Sequence, residues 1–293
     1  MSAVPAQSTV VLAVLGDGIR DATDALVRAD DDGLVRGDGC FEGCRLQVGR
    51  DGRATVDKLE AHLTRMARSA RSLEIDFAAQ SWRELVDVAG AEWARRCPEP
   101  GEAGVKLLLT RGSATCASVG FVRITALPTH YPRQRLDGLR VVTLGRGLHS
   151  RAFADVPWLL GGTKSLSYAT NMAATREAAR RGADEALFVS SDGKVLEAPT
   201  ASVVWSIGTT LHTTPLGETG ILAGTTQALL YERAVDAGWR TEWTLATVDD
   251  LHAADVVWLI SSVRGPVDVV ELDGVRRSRV PEVDAEVRRL CGF

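Results

Sequence analysis

The sequence has 293 residues, 45% hydrophobic and 25% charged, an ordinary globular composition long enough for about two domains with separate cores. A formal net charge of −4 excludes a general attraction to nucleic acid or anionic membrane, and no stretch reaches the roughly 20 apolar residues of a membrane span. The expected partner is therefore a small molecule, with no nucleic acid and no membrane.

In chain order, the start MSAVPAQSTVVLAVLGDG has no basic leader region, and Gly16 and Gly18 break its apolar run, so no secretory leader is expected. The five cysteines, Cys40, Cys44, Cys97, Cys116 and Cys291, are odd in number and lack C-x-x-C spacing. That argues against a disulfide framework and a zinc site and fits a reducing, cytoplasmic setting. The Asp51-Gly52 turn between two short alternating runs predicts a hairpin over 43–56. Leu59, His62, Leu63, Met66, Ala67 and Ala70 recur at helical spacing, predicting a helix over 56–73, and a second helix is expected over 81–96. GVKLLLT and ASVGFVRITAL read as two strands around a turn-rich RGSATC.

Next comes PTHYPRQRLDG, with two prolines and no apolar period, which reads as a linker. This predicts a small N-terminal α/β domain over 1–128, a linker over 129–137 and a larger C-terminal domain over 138–293. In the second half, LRVVTL is a strand and 161–182 contains a helix. That helix ends in Arg180 and Arg181, which suit its negative pole, and in Gly182 at the left-handed C′ position. A further hairpin turns at Asp192-Gly193, a helix follows ILAG, and ADVVWLI is a buried strand. The whole is a mixed α/β (α+β) protein without regular βαβ alternation. The five histidines show no metal spacing, so no metal is expected.

Of the 34 lysines and arginines, only Lys58, Lys106, Lys164 and Lys194 are lysine. Lys164 lies beside Trp158, Leu159, Leu160 and Leu166, neighbours that would desolvate its amine and lower its pKa, a change arginine cannot undergo. From this context alone, a lysine packed near a helix start and an amine nucleophile both remain open. The P-loop reading of GGTKS fails because Thr163 separates the glycine from the lysine.

Several stretches around Lys164 decide between them. RGDGCFE at 36–42, HLTRMARSA at 62–70, TKSLSYATNMA at 163–173, GADEALFVSSDGKVLEAPTASVV at 182–204, GILAGTTQ at 220–227 and LISSVRG at 259–265 together resemble the fold-type IV pyridoxal-phosphate enzymes, whose fold is that of D-amino acid aminotransferase. The resemblance implies pyridoxal 5'-phosphate as cofactor and a homodimer. It makes Lys164 the Schiff-base lysine and proton carrier, and Glu197 the partner of the pyridinium nitrogen. It places Thr225, Thr226, Ser262 and Arg65 around the phosphate and Tyr168 near the phenolic oxygen, although Tyr168 stands one residue short of the branched-chain spacing. Two positions depart from the family pattern: Gln227 replaces the usual arginine and Ser202 the usual asparagine.

The D-amino acid transaminases trap the substrate carboxylate with Arg-x-His after TRG; here that loop reads SATCASVGF and has neither. GDGCF, TALPTHYPR and SSVRG resemble aminodeoxychorismate lyases, and PWLLGGTKSLSYATNMA resembles an actinobacterial branch of them. The expected reaction therefore converts 4-amino-4-deoxychorismate to 4-aminobenzoate and pyruvate, the former a folate precursor. A class IV aminotransferase acting on D-amino acids, branched-chain amino acids or amines is the alternative. Arg111 and Arg264 are the candidate contacts for the substrate's two carboxylates.

Overall fold

The computed structural model describes residues 9–293. Residues 1–8, on which part of the reading of the chain start rests, lie outside the described residues. The chain divides into two compact units. One comprises the chain up to Pro128 together with Thr163–Ser167; the other comprises Thr129–Gly162 and Tyr168–Phe293.

The first unit holds β1 (Val10–Val14), β2 (Gly18–Arg20), the short α1 (Asp32–Val35), β3 (Gly39–Val48), β4 (Ala54–Val56), α2 (Leu59–Ser72), α3 (Ala79–Arg96), β5 (Gly101–Thr110) and β6 (Gly120–Ala126). Its six strands form an antiparallel sheet in the order β2-β1-β6-β5-β3-β4. Inward residues alternate along the strands, as in Ala103, Val105, Leu107 and Leu109 of β5, and α2 and α3 cover that face with Leu63, Met66, Ala70, Trp82, Val86 and Ala89. The expected hairpin, both helices and both strands are present, with helix ends displaced by up to three residues.

In the second unit follow α4 (His130–Asp137), β7 (Leu139–Gly145), a 3-10 turn at Pro157–Leu159, α5 (Ala169–Arg180), β8 (Glu185–Val189), β9 (Ser202–Ile207), β10 (Thr210–Thr213), α6 (Thr225–Asp236), β11 (Arg240–Trp243), α7 (Val248–Ala253), β12 (Val256–Ser261), β13 (Gly265–Leu272), β14 (Val275–Arg276) and α8 (Pro281–Leu290). The sheet order is β11-β10-β9-β12-β13-β7-β8, with β14 on β13. Both faces of its middle are buried. Val257 and Leu259 of β12 join one cluster with Val203, Trp205 and Val267, while Val256, Trp258 and Ile260 join another with Leu230, Val287 and Leu290 under α6 and α8. Double burial explains why VVWLI reads as an uninterrupted apolar run.

Two features bear on the expected division of the chain. The stretch 129–137, read as a linker, contains α4 and clusters with the second unit, whose boundary falls after Pro128. None of its residues is buried, so it has no apolar period to read. Its anchor is polar: Arg135 donates to the Arg264 and Val263 carbonyls at 2.6 and 3.0 Å. The segment 163–167, assigned above to the C-terminal part, packs with the first unit. The C′ glycine Gly182 does adopt a positive φ of 76° after α5.

Candidate active site

In the first unit Lys164 is not at a helix mouth, since α5 begins only at Ala169. It lies in an extended segment laid against the start of β3. The Phe41 N–H donates to the Lys164 carbonyl at 3.0 Å, Leu166 N–H donates to the Gly39 carbonyl at 2.8 Å, and Lys164 N–H donates to Ser69 Oγ of α2 at 3.1 Å. These bonds fix the lysine backbone on both sides. A side chain at Gly39 would collide with the Leu109 carbonyl and with Leu166, so the close approach of the segment needs glycine there.

The Lys164 side chain is half-buried, and its apolar neighbour differs from the one expected. Trp158 and Leu159 are exposed, whereas the Lys164 Nζ stands 4.6 Å from the centroid of the Phe41 ring. The Lys106 Nζ is 5.6 Å from the same centroid. Two of the four lysines in the chain thus share one aromatic ring, a contact that favours cations. Lys106 was not singled out from the sequence, but the register explains its position: it pairs with Gly43, two residues beyond Phe41 on the same face of β3. Cys40 is fully buried, and burial followed by the charge of Glu42 pushes its thiol up to about 12, so it is a packed residue and no nucleophile.

Behind this group lies a buried ionic cluster. Arg65 of α2 is 5% exposed and donates Nε and Nη2 to the two Glu42 oxygens at 2.7 and 2.6 Å. His62 Nδ1 is 2.8 Å from Glu42 Oε2, and neither His62 nor Glu42 is exposed. Burial by itself would raise the Glu42 carboxyl; the charge and N–H groups of Arg65, with His62, outweigh it and hold the carboxyl at about 2. Burial pushes the His62 imidazole below its ordinary value. His62, Arg65 and Ser69 form a polar stripe on the buried face of α2, a breach of amphipathic pattern visible in the sequence once the helix is placed. Arg111 is differently engaged. Its Nε and Nη2 donate to Asp38 at 2.5 and 3.1 Å, and Nη2 also reaches the Leu73 carbonyl.

In the second unit the polar groups gather at one end of the sheet. β9 begins at Ser202, which pairs with Ile260, and β12 ends next to the first residue of β13. Helix α6 starts there. Its N-cap Gly224 is extended and provides no side-chain cap, and a Cβ at Gly224 would collide with Ser202 Oγ. The hydroxyls of Thr225 and Thr226 lie 2.9 and 3.1 Å from Ser262 Oγ. Glu197 is half-buried, and its Oε2 accepts from the Leu222 N–H at 3.1 Å. The Tyr168 hydroxyl donates to the Pro199 carbonyl, which also accepts from Asn171 Nδ2 at 2.8 Å. Arg264 is 4% exposed; its Nη1 meets Glu185 Oε2 at 3.2 Å, while its Nε and Nη2 are buried without a hydrogen-bond partner among the described residues. Among the described residues, no group of three or more His, Cys, Asp or Glu side chains has the arrangement of a metal site, and no helix is long and apolar enough to cross a membrane.

The profile of the family described as Amino-transferase class IV matches residues 39–272, which takes in both groups. The chain is 38% identical over 272 residues to the bifunctional aminodeoxychorismate lyase / D-amino acid transaminase of Mycobacterium tuberculosis, covering 89% of this chain and 92% of that one. Among solved structures it is similar to the fold IV-transaminase CpuTA1 of Curtobacterium pusillum, with a TM-score of 0.89, 38% identity and 97% of each chain covered. It is also similar to a hypothetical aminotransferase of M. tuberculosis in its PLP-bound form, with a TM-score of 0.87, 38% identity and 97% and 98% coverage. The chain belongs to the class IV aminotransferase family of pyridoxal-phosphate-dependent enzymes.

Proposed function

We propose that this protein is a lyase that converts 4-amino-4-deoxychorismate to 4-aminobenzoate and pyruvate. The observation that carries the reading is the Phe41 ring with the Lys164 and Lys106 amines 4.6 and 5.6 Å from its centroid. A flat cyclic dicarboxylate presenting an amine calls for an apolar face, a cation for a carboxylate and a nearby amine that can move a proton. The loop after Thr110, with no arginine or histidine in SATCASVGF, lacks what a D-amino acid transaminase uses to grip a carboxylate.

The side chains present fit the cofactor. The α6 mouth is kept clear by Gly224 and lined by hydroxyls, which suits a phosphate at a helix N-terminus. Thr225, Thr226 and Ser262 would hold that phosphate, with Arg65 adding a positive charge. Glu197, its backbone fixed by the Phe188 N–H bond to its carbonyl at 2.9 Å, would keep a proton on the ring nitrogen. Tyr168 would turn from the Pro199 carbonyl to the phenolic oxygen while Asn171 keeps that carbonyl satisfied. Bound pyridoxal phosphate supplies an aldehyde for the substrate amine and a ring that draws electrons from the adjacent carbon.

Lys164 would hold the cofactor between turnovers, and its Nζ would remove the proton from the carbon bearing the substrate amine. Breaking of the ring C–O bond would then release enolpyruvate, which becomes pyruvate by taking up a proton in place of the one removed, and leave an aromatic ring, so no amino acceptor is consumed. Arg111, held by Asp38 and the Leu73 carbonyl, stays a candidate carboxylate contact, and Lys106, whose amine stands at the Phe41 ring, joins it in the first unit. Arg264, with two unpartnered N–H groups among the described residues, remains the second candidate.

The name of the M. tuberculosis relative carries a second activity, so D-amino acid transamination is the second reading. The two readings separate in a Lys106→Met variant. The lyase reading expects its KM for aminodeoxychorismate to rise about tenfold or more, the loss of one charge-assisted contact. An unchanged KM would remove Lys106 from carboxylate binding, and 4-aminobenzoate formation that depends on an added 2-oxo acid would overturn the lyase reading.

A further inference from the structure

Gln227 and Ser202, the two departures from the family pattern, border the same spot. Where a Cβ on Gly224 would stand, Gln227 Cβ is 3.3 Å away and Ser202 Oγ is closer still. Gln227 is the third residue of α6, 3% exposed, and its Nε2 is buried with no hydrogen-bond partner among the described residues. A glutamine at this helix position ordinarily reaches back to cap the helix start, and buried amide donors are ordinarily paired. An unpaired donor carried by the third residue of a helix that has no side-chain cap and opens on two buried threonines points to an anion as its missing partner.

We infer that Gln227 is a further ligand of the cofactor's phosphate, its Nε2 donating to a phosphate oxygen at the mouth of α6. The inference rests on the reading above that the phosphate binds there, and extends it to a residue the family pattern does not supply. A neutral amide brings a directed donor without the charge of arginine.

The test compares the affinity of the apo-protein for pyridoxal phosphate and for pyridoxal, which lacks the phosphate; the dissociation constant for pyridoxal divided by that for pyridoxal phosphate isolates what the phosphate contributes. Gln227→Leu should lower that ratio about tenfold, the worth of one hydrogen bond to a charged group, with pyridoxal affinity unchanged. Gln227→Glu, nearly the same size, should lower it further by placing a carboxylate near the phosphate. An unchanged ratio, or an equal weakening of both ligands, would overturn the inference and leave Gln227 a packing residue. Thr226→Val separates the two levels. If it lowers the ratio while the Gln227 variants do not, only the Gln227 assignment fails; if none of the three variants does, the location of the phosphate fails with it.

Discussion

Arg65 shows how a single residue can be misjudged from sequence. On helical spacing alone it is an ordinary surface arginine, and only the motif around it suggested otherwise; in the structure it is buried and held in one plane by Glu42. Such a pair costs desolvation, and removing one partner strands the other charge. Glu42→Gln should therefore destabilise the fold by about 3–5 kcal/mol at neutral pH. The Glu42 carboxyl lies at about 2 in the folded chain against an ordinary 4.5. A depressed carboxyl stabilises the fold above its ordinary value and loses that contribution as pH falls towards 2. The gap in thermal midpoint between wild type and Glu42→Gln should accordingly narrow from pH 6 to pH 3, and a gap independent of pH would contradict this account of the cluster. Lys164→Ala should abolish the Schiff-base absorbance and turnover together, and retained turnover would remove Lys164 from the chemistry. Glu197→Gln should keep the cofactor bound but slow product formation at least tenfold, because the ring nitrogen loses the group that holds its proton.

At the scale of elements, legibility followed the hydrophobic pattern. Helices α2 and α3 and strands β5, β6 and β12 have one or two buried faces, and their periods are plain in the sequence. The helix α4 has no buried residue and is fixed by Arg135 through backbone carbonyls, so composition alone made it a linker. The segment around Lys164 was similarly hidden. Its extended form comes from bonds to Gly39, Phe41 and Ser69, distant in sequence, and its own small and polar residues suit a helix start as well as a strand. The mouth of α6 was legible only through the family pattern, yet its geometry has a local cause in Gly224. Gly224→Ala should weaken binding of pyridoxal phosphate about tenfold or more by driving Ser202 or the helix start aside, and Ser202→Gly in the same chain should restore part of the loss. Titration of the two variants checks this; equal affinities for both would mean that the steric argument is wrong.

For the whole molecule, the fold class and the family follow from the order and spacing of six short motifs, none decisive alone. The choice of reaction was less visible, because on the proposed reading it depends on which cations stand near the Lys164 amine. Arg111, the candidate read from the sequence, is held by Asp38, and the strand register brings Lys106 beside Phe41. The distinction between lyase and transaminase thus rests on a few side chains set on a common scaffold. The most direct measurement is to incubate the cofactor-loaded protein with aminodeoxychorismate, without any amino acceptor, and to quantify 4-aminobenzoate and pyruvate. The lyase account predicts equal amounts of both over many turnovers and none with Lys164→Ala; no 4-aminobenzoate above that control, with transamination of a D-amino acid once a 2-oxo acid is supplied, would contradict it.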